Sequence, residues 1–301
     1  MIVSGRPPWV TAEAGRFPAR MHWLDWMTDL VGLMLWLSWR GFGAQPASAR
    51  PALTLVSNLR HAGGGGSRRG TLALPALGVL LLARAALHHT LSPNFADAVP
   101  WSMGAVTIAF RSDLWWRILS HSFLSWAALV LKAHVCFAFL VVLRRPDADS
   151  DPITQSLKAE LGPAARWPWG LSMVPFLAGL GVLWLAASPV LVGAGLVPAR
   201  VSTSHALQQA VVVALGGLGS LKWPLVLLCL MRFLLDHVYL GAMPVWDYLH
   251  VTGGRLSGWL AVLPLRWGRI DLAPLVAAGL CWTLGHLIQG GAPRLFLRLP
   301  L

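Results

Sequence analysis

LWWRILSHSFLSWAALVLKAHVCFAFLVVL, residues 114–143, decides the class of this chain. Between Arg117 and Arg144 it holds one full charge, Lys132, with His121 and His134 as its other basic groups. A helix that crosses a hydrocarbon core of ~30 Å needs about 20 mostly apolar residues, and this run is longer than that. Working outward, Leu24–Trp39 is a shorter run with Asp25 and Asp29 at its start. Leu72–Leu91 carries Arg84 inside and His88 and His89 near its end. Leu171–Val197 is interrupted by Pro175 and Pro189, and Leu272–Ile288 closes the series. Ala206–Met243 is too long for one straight span. Gly216, Gly217, Gly219 and Pro224 divide it into a short leading helix and a span from about Pro224 to Leu240. The expectation is an all-α polytopic membrane protein with about six transmembrane helices. Trp101–Phe110 is apolar but too short to cross, and is expected at the interface.

The composition agrees. Of 301 residues, 56% are hydrophobic and 12% charged, and the mean hydropathy is +0.61. A soluble domain carries roughly 25% charge, so this chain could not cover a soluble globule of its size. The net charge of +12 sits mainly in short loops between apolar runs. That placement points to anionic headgroups and away from nucleic acid. The loops after the first, third and fifth runs hold more Arg and Lys than the opposite side, which sets a weak cytoplasm-facing orientation. Trp occurs 17 times against 10 Phe and 2 Tyr, often at run edges, where indoles anchor at the headgroup level. Cys136, Cys229 and Cys281 each lie inside an apolar run and read as small core residues. Met1–Arg20 has two adjacent prolines and no apolar core, so it does not read as a cleavable signal peptide.

Three stretches share one layout: an apolar helix, a loop opening with Pro, a short amphipathic segment, a basic turn, and a helix with Pro in its first turn. The proline pairs are Pro51 and Pro75, Pro152 and Pro175, Pro244 and Pro274. Pro is tolerated in a first helical turn, where its missing N–H has no partner to lose. The segment between each pair is too short to span and should lie in the headgroup plane. The third copy runs from Met231 to Trp282. Its Arg232, Pro244, Leu263-Pro264, Arg266, Gly268 and Ile270-Asp271-Leu272-Ala273-Pro274-Leu275-Val276 resemble the YggT repeat family of small integral membrane proteins. Ala273 stands where that family has Ser. The other two copies have Leu72 and Ser172 where the Asp would be, and are similar in layout alone. The resemblance implies three helix–interfacial segment–helix repeats. The expected boundaries are a polar or interfacial N-terminal segment over 1–23, then units over 24–95, 96–197 and 198–301.

Five charges fall inside the runs: Arg84, Lys132, Lys222, Arg232 and Asp236. Such charges are expensive and often functional. Arg232 and Asp236 are spaced i,i+4 and can neutralise one another as an intramembrane ion pair. Arg84 and Lys222 read as snorkelling from near helix ends. For haem, two histidines on one helix would need a shared face. His121 and His134 are 13 residues apart, about 220° around a helix. One His from each of two helices would suffice, so His121, His134 and His237 stand as haem candidates, with core or interface histidines the favoured reading. Asp147, Asp149 and Asp151 imitate the start of a calcium loop, but Pro152 and Lys158 stand where Gly and an acid are required. No catalytic constellation and no metal site is expected.

The resemblance implies a non-enzymatic membrane protein that acts as an accessory, assembly or structural factor. Its expected partners are membrane lipids and other integral membrane proteins in a complex, in a bacterial inner membrane or an organellar equivalent. No cofactor is expected, with haem the exception kept open. The alternatives are a structural or haem-holding subunit of a bioenergetic complex, and a small transporter or channel. The expected contact surface is Pro244–Asp271, where Arg255, Arg266 and Arg269 accompany Trp246, Trp259 and Trp267.

Overall fold

A computed structural model describes residues 19–40, 66–91, 99–110, 114–145, 151–168, 170–197, 202–239, 241, 243–267 and 270–299. Its elements run α1 (Ala19–Trp39), α2 (Gly66–Leu91), β1 (Val99–Ser102), β2 (Thr107–Phe110), α3 (Trp115–Leu143), α4 (Pro152–Leu161), α5 (Val174–Gly193), α6 (Thr203–Gly216), α7 (Lys222–His237), α8 (Pro244–Ser257), β3 (Arg266–Trp267), β4 (Ile270–Asp271) and α9 (Ala273–Leu297). The fold is all-α, punctuated by two small antiparallel pairings, β1 with β2 and β3 with β4. The first expected interfacial segment, after Pro51, lies outside the described residues, as does most of the N-terminal segment.

Among the described residues, five stretches are long and apolar enough to cross a membrane: Leu72–Thr90, Trp115–Leu143, Leu171–Gly193, Thr203–His237 and Ala273–Leu297. The sixth expected span forms α1, which is helical but does not join that set. Its two aspartates, one helical turn apart, turn toward an arginine of α2, while Trp23, Trp26 and Met34 are exposed.

Proline sets several helix starts. Pro152 opens α4, where the Asp151 side chain accepts from Ile153 N and Thr154 N at 3.4 and 3.0 Å, satisfying donors that a helix start leaves free. Pro244 opens α8. Pro274 sits in the first turn of α9, and Asp271 Oδ1 accepts from Ala273 N at 2.9 Å. Pro75 departs from the expectation, because α2 begins at Gly66 and Pro75 falls inside it. The long run breaks where its glycines predict: α6 ends at Gly216, a 3-10 segment covers Gly217–Leu221, and α7 follows.

The segment expected at the interface, Trp101–Phe110, forms a hairpin in which Trp101, Met103, Ala105, Ile108 and Phe110 are buried and Ser102 and Thr107 are exposed. Trp101 pairs with Ile108, and the Trp101 and Phe110 rings meet edge to face at 6.1 Å. Pairing the two strands satisfies backbone groups that could not be left bare in an apolar setting.

The described residues fall into two compact units. The first draws on Met1–Ser102, Thr107–Val130 and Ala186–Ala199, the second on Met103–Val106, Leu131–Leu185 and Arg200–Leu301. In the first, α1, α2 and the first half of α3 pack together: Gly32 lies against Trp126 and Leu77, and Ser122 Oγ donates to Leu81 O at 2.9 Å. Arg117 donates to Ala194 O, just past the end of α5, at 2.8 Å. In the second, α7 and α9 meet through small residues, with Val226 and Cys229 against Ala273, Ala277 and Ala278. Small side chains let helix backbones approach closely.

Gly104, at the hairpin tip, has φ +72°, and a Cβ there would stand 2.6 Å from the Gly216 carbonyl carbon. Both the backbone conformation and the space exclude a side chain. Gly104→Ala should therefore lower stability by about 1–3 kcal/mol, read as thermal unfolding in detergent. Gly78→Ala, where an added Cβ meets nothing within 4 Å, should leave stability unchanged or slightly raised.

Candidate functional site

Three clusters of charged side chains organise the described residues, one in the first unit and two in the second.

In the first unit the centre is Arg84, 4% exposed, on α2. Its guanidinium donates through Nε and Nη2 to Asp25 Oδ1 at 3.0 and 2.8 Å, and through Nη1 to Asp29 Oδ1 at 2.6 Å. Nη2 also reaches Ser125 Oγ at 3.3 Å. His88, one turn along α2, places Nε2 2.8 Å from the same Asp25 oxygen. The His121 ring stands edge to face with His88 at 5.8 Å and with Phe110 at 5.3 Å. Arg84 is therefore not a snorkelling side chain. It points inward because a guanidinium fork can hold two carboxylates at once. The signal lay in two i,i+4 pairs, Asp25 with Asp29 and Arg84 with His88, each of which puts its two groups on one helix face.

In the second unit the centre is the C-terminal end of α3, where the two short helices α4 and α8 meet. The Leu143 carbonyl accepts from Arg255 Nη1 of α8 at 3.0 Å. Arg144 Nη2 lies 3.5 Å from Asp151 Oδ2, the carboxylate that caps α4, and Arg144 Cζ stands 5.4 Å from the Tyr248 ring of α8. Arg145 donates to Trp167 O. Positive charge at a helix C-terminus also meets the macrodipole favourably. Beneath it, Ala138 and Val141 of α3, Leu157 and Leu161 of α4 and Tyr248 form one apolar cluster. One turn further into α3, His134 Nε2 faces Glu160 Oε1 of α4 at 3.3 Å, both buried.

The other face of α8 rests on α7. Arg232 Nε and Asp236 Oδ2 are 3.0 Å apart, Arg232 Nη1 donates to His250 O at 3.1 Å, and His250 Nε2 faces Asp236 Oδ1 at 3.1 Å. Gly253 makes this approach possible, since a Cβ there would stand 2.6 Å from the Arg232 Cβ. At the α7–α8 corner a cleft of about 550 Å³ is lined by Tyr239, Met243, Trp246, Asp247 and His250 among others.

The expected contact residues separate. Trp246 lines the cleft, Trp259 is exposed, and Arg255 is engaged at the end of α3. Arg266 and Trp267 form β3, opposite Asp271 and Ile270, and Arg269 lies outside the described residues. Each of the three haem candidates has its own neighbours: His121 contacts His88 and Phe110, His134 contacts Glu160, and His237 Nδ1 lies 2.8 Å from Phe233 O. Among the described residues no group of three or more His, Cys, Asp or Glu could hold a metal ion. No protein-family model matches the chain, and no curated protein or solved structure is significantly similar to it.

Two outcomes follow. Arg84→Gln leaves two inward carboxylates without their cation and should cost about 3–5 kcal/mol, whereas Arg84→Met combined with Asp25→Asn and Asp29→Asn should recover most of that loss. Comparing detergent melts of the two variants checks this. Burial, with the Asp151 carboxylate adding to it and Arg144 opposing, pushes the Tyr248 phenol up to about 12. A raised phenol stabilises the fold below its unfolded value near 10 and loses that contribution as pH rises through 12. The chain has two tyrosines. In an alkaline absorbance titration, the step that disappears in Tyr248→Phe should come at about pH 12.

Proposed function

We propose that this chain is a non-catalytic integral membrane protein of YggT type, an accessory or structural factor that holds other membrane proteins against its α7–α8 corner. One observation carries the reading. The corner combines the 550 Å³ cleft with exposed apolar and aromatic side chains outside the five apolar stretches: Tyr239 is 86% exposed, and Val238, Met243 and Val245 are exposed with it. Large exposed apolar patches mark interaction surfaces, and aromatic anchors dominate binding energy where they fill pockets. The corner is also stiff, because the Arg232–Asp236–His250 group and the Arg255–Leu143 bond tie α8 on two sides. A rigid surface loses little entropy on docking.

The repeat order lends support. Helix, short proline-led helix, helix is the sequence α3–α4–α5 and again α7–α8–α9, the layout expected of YggT-like units. The host is a bacterial inner membrane or an organellar equivalent, and the partners are lipids and integral membrane proteins of one complex. The Arg84–Asp25–Asp29–His88 group, with Arg84 and His88 buried and the two carboxylates half-buried, favours a second reading, a small transporter, since intramembrane ionisable groups often mark ion paths. It ranks below the first because the Arg84 fork is taken up by the two carboxylates.

Photocrosslinking amino acids placed at Tyr239 and Met243 test the proposal in intact membranes, with Val79 of α2, also exposed, as the control. The corner positions should yield a discrete protein adduct and Val79 lipid adducts alone. Lipid adducts alone at all three positions would remove the corner as a docking surface.

A further inference from the structure

The buried cations described above are met by carboxylates or by helix-end carbonyls. Lys222 is not. It opens α7, is 7% exposed, and pairs with no carboxylate among the described residues. Its Nζ stands 4.9 Å from the Trp282 ring and 5.2 Å from the Trp223 ring, and donates to Gln289 Oε1 at 3.4 Å, a long bond to a neutral acceptor. Gln289 is held in turn by donating to Gly219 O at 3.1 Å. The lysine stem is clamped between α7 and α9: a Cβ at Gly285 would stand 2.6 Å from the Lys222 Cβ and 2.7 Å from its Cγ. The ammonium is therefore held at a fixed place between two indoles that are themselves 64% and 43% exposed.

Two aromatic faces stabilise a cation, but a full charge in apolar surroundings calls for an anion. The surroundings describe that anion. From Trp223 an exposed apolar strip continues along α7 through Leu227 and Leu230, at i+4 and i+7, which share one helix face. Lys222 also lies one α7 length from the α7–α8 corner. Sixteen residues make about 24 Å, so a corner at one boundary of a ~30 Å core puts Lys222 within a side chain's reach of the other boundary. A fixed cation flanked by indoles at that depth, with an apolar strip leading inward, has the chemistry of a site for an anionic amphiphile.

We propose that Lys222, Trp223 and Trp282 bind the phosphate of an anionic phospholipid in the leaflet opposite the α7–α8 corner, with its acyl chains along Trp223, Leu227 and Leu230. The site is separate from the docking corner, and its test does not depend on any protein partner.

The full chain is reconstituted in nanodiscs of phosphatidylglycerol and phosphatidylcholine in equal amounts, and the lipids retained on release are read by native mass spectrometry. The wild-type protein should retain phosphatidylglycerol in preference. Lys222→Gln should weaken that retention by about fivefold, the effect of one basic group at an anionic surface, and Lys222→Arg should keep it. Equal retention of the two lipids by the wild-type protein, or full retention by Lys222→Gln, overturns the site. Displacement of the lipid by millimolar inorganic phosphate would make it a general anion site and overturn the lipid assignment. A second measurement uses the wild-type protein alone, so it stands even if Lys222→Gln does not fold. The chain has three lysines, Lys132, Lys158 and Lys222. Acylation followed by peptide mass spectrometry should show Lys222 reacting more slowly in phosphatidylglycerol than in phosphatidylcholine nanodiscs, with Lys158 unchanged. Equal Lys222 rates in the two lipids would also overturn the proposal.

Discussion

A charge that leaves water must find a partner or it unfolds what surrounds it. In a chain with so few charges that constraint decides where the helices go. Arg84 draws α1 onto α2 because Asp25 and Asp29 are the anions within reach. His134 and Glu160 hold α4 along α3. Arg232 and Asp236 cancel on one helix, and His250 joins them from the next. Apolar packing supplies most of the burial energy, but it is tolerant of sliding and rotation. The directional bonds of a guanidinium are not, and they fix the register of helices whose apolar faces would fit in several ways.

Arginine has a second task. Arg117 donates to Ala194 O just beyond α5, and Arg255 to Leu143 O at the end of α3. The last carbonyls of a helix have no intrahelical partner, and in apolar surroundings water is not at hand to satisfy them. A long side chain from a neighbouring helix can do so while adding favourable charge. These arginines read in the sequence as headgroup contacts or topology signals, and for Arg255 that reading changes.

The legible part of the fold was what depends on near neighbours in the chain. Run length and apolar content mark the five long stretches. The starts of α4, α8 and α9 follow from Pro152, Pro244 and Pro274, and the break between α6 and α7 from Gly216 to Gly219. What depended on distant partners was not legible. Asp25 and Arg84 are 59 residues apart, and no spacing rule joins them. The hairpin at Trp101–Phe110 was hidden because a short apolar run reads the same as strand, loop or interfacial helix. Pro75 misled about α2, since neighbouring helices can make up for the lost backbone bond of an interior proline. In the second unit, the ring pair Trp223 and Trp282 around Lys222 is likewise a meeting of two helices.

The bond from Arg255 to Leu143 closes a span of 112 residues, and that separation has a bearing on how the protein is made. At about 5–20 residues per second, the end of α3 is synthesised many seconds before its donor. During that interval α3 and α4 have each other, through Arg144, Asp151, His134 and Glu160, while the Leu143 carbonyl waits. The earlier helix pair is thus a provisional assembly, and α8, made in the last third of the chain, is the piece that closes it.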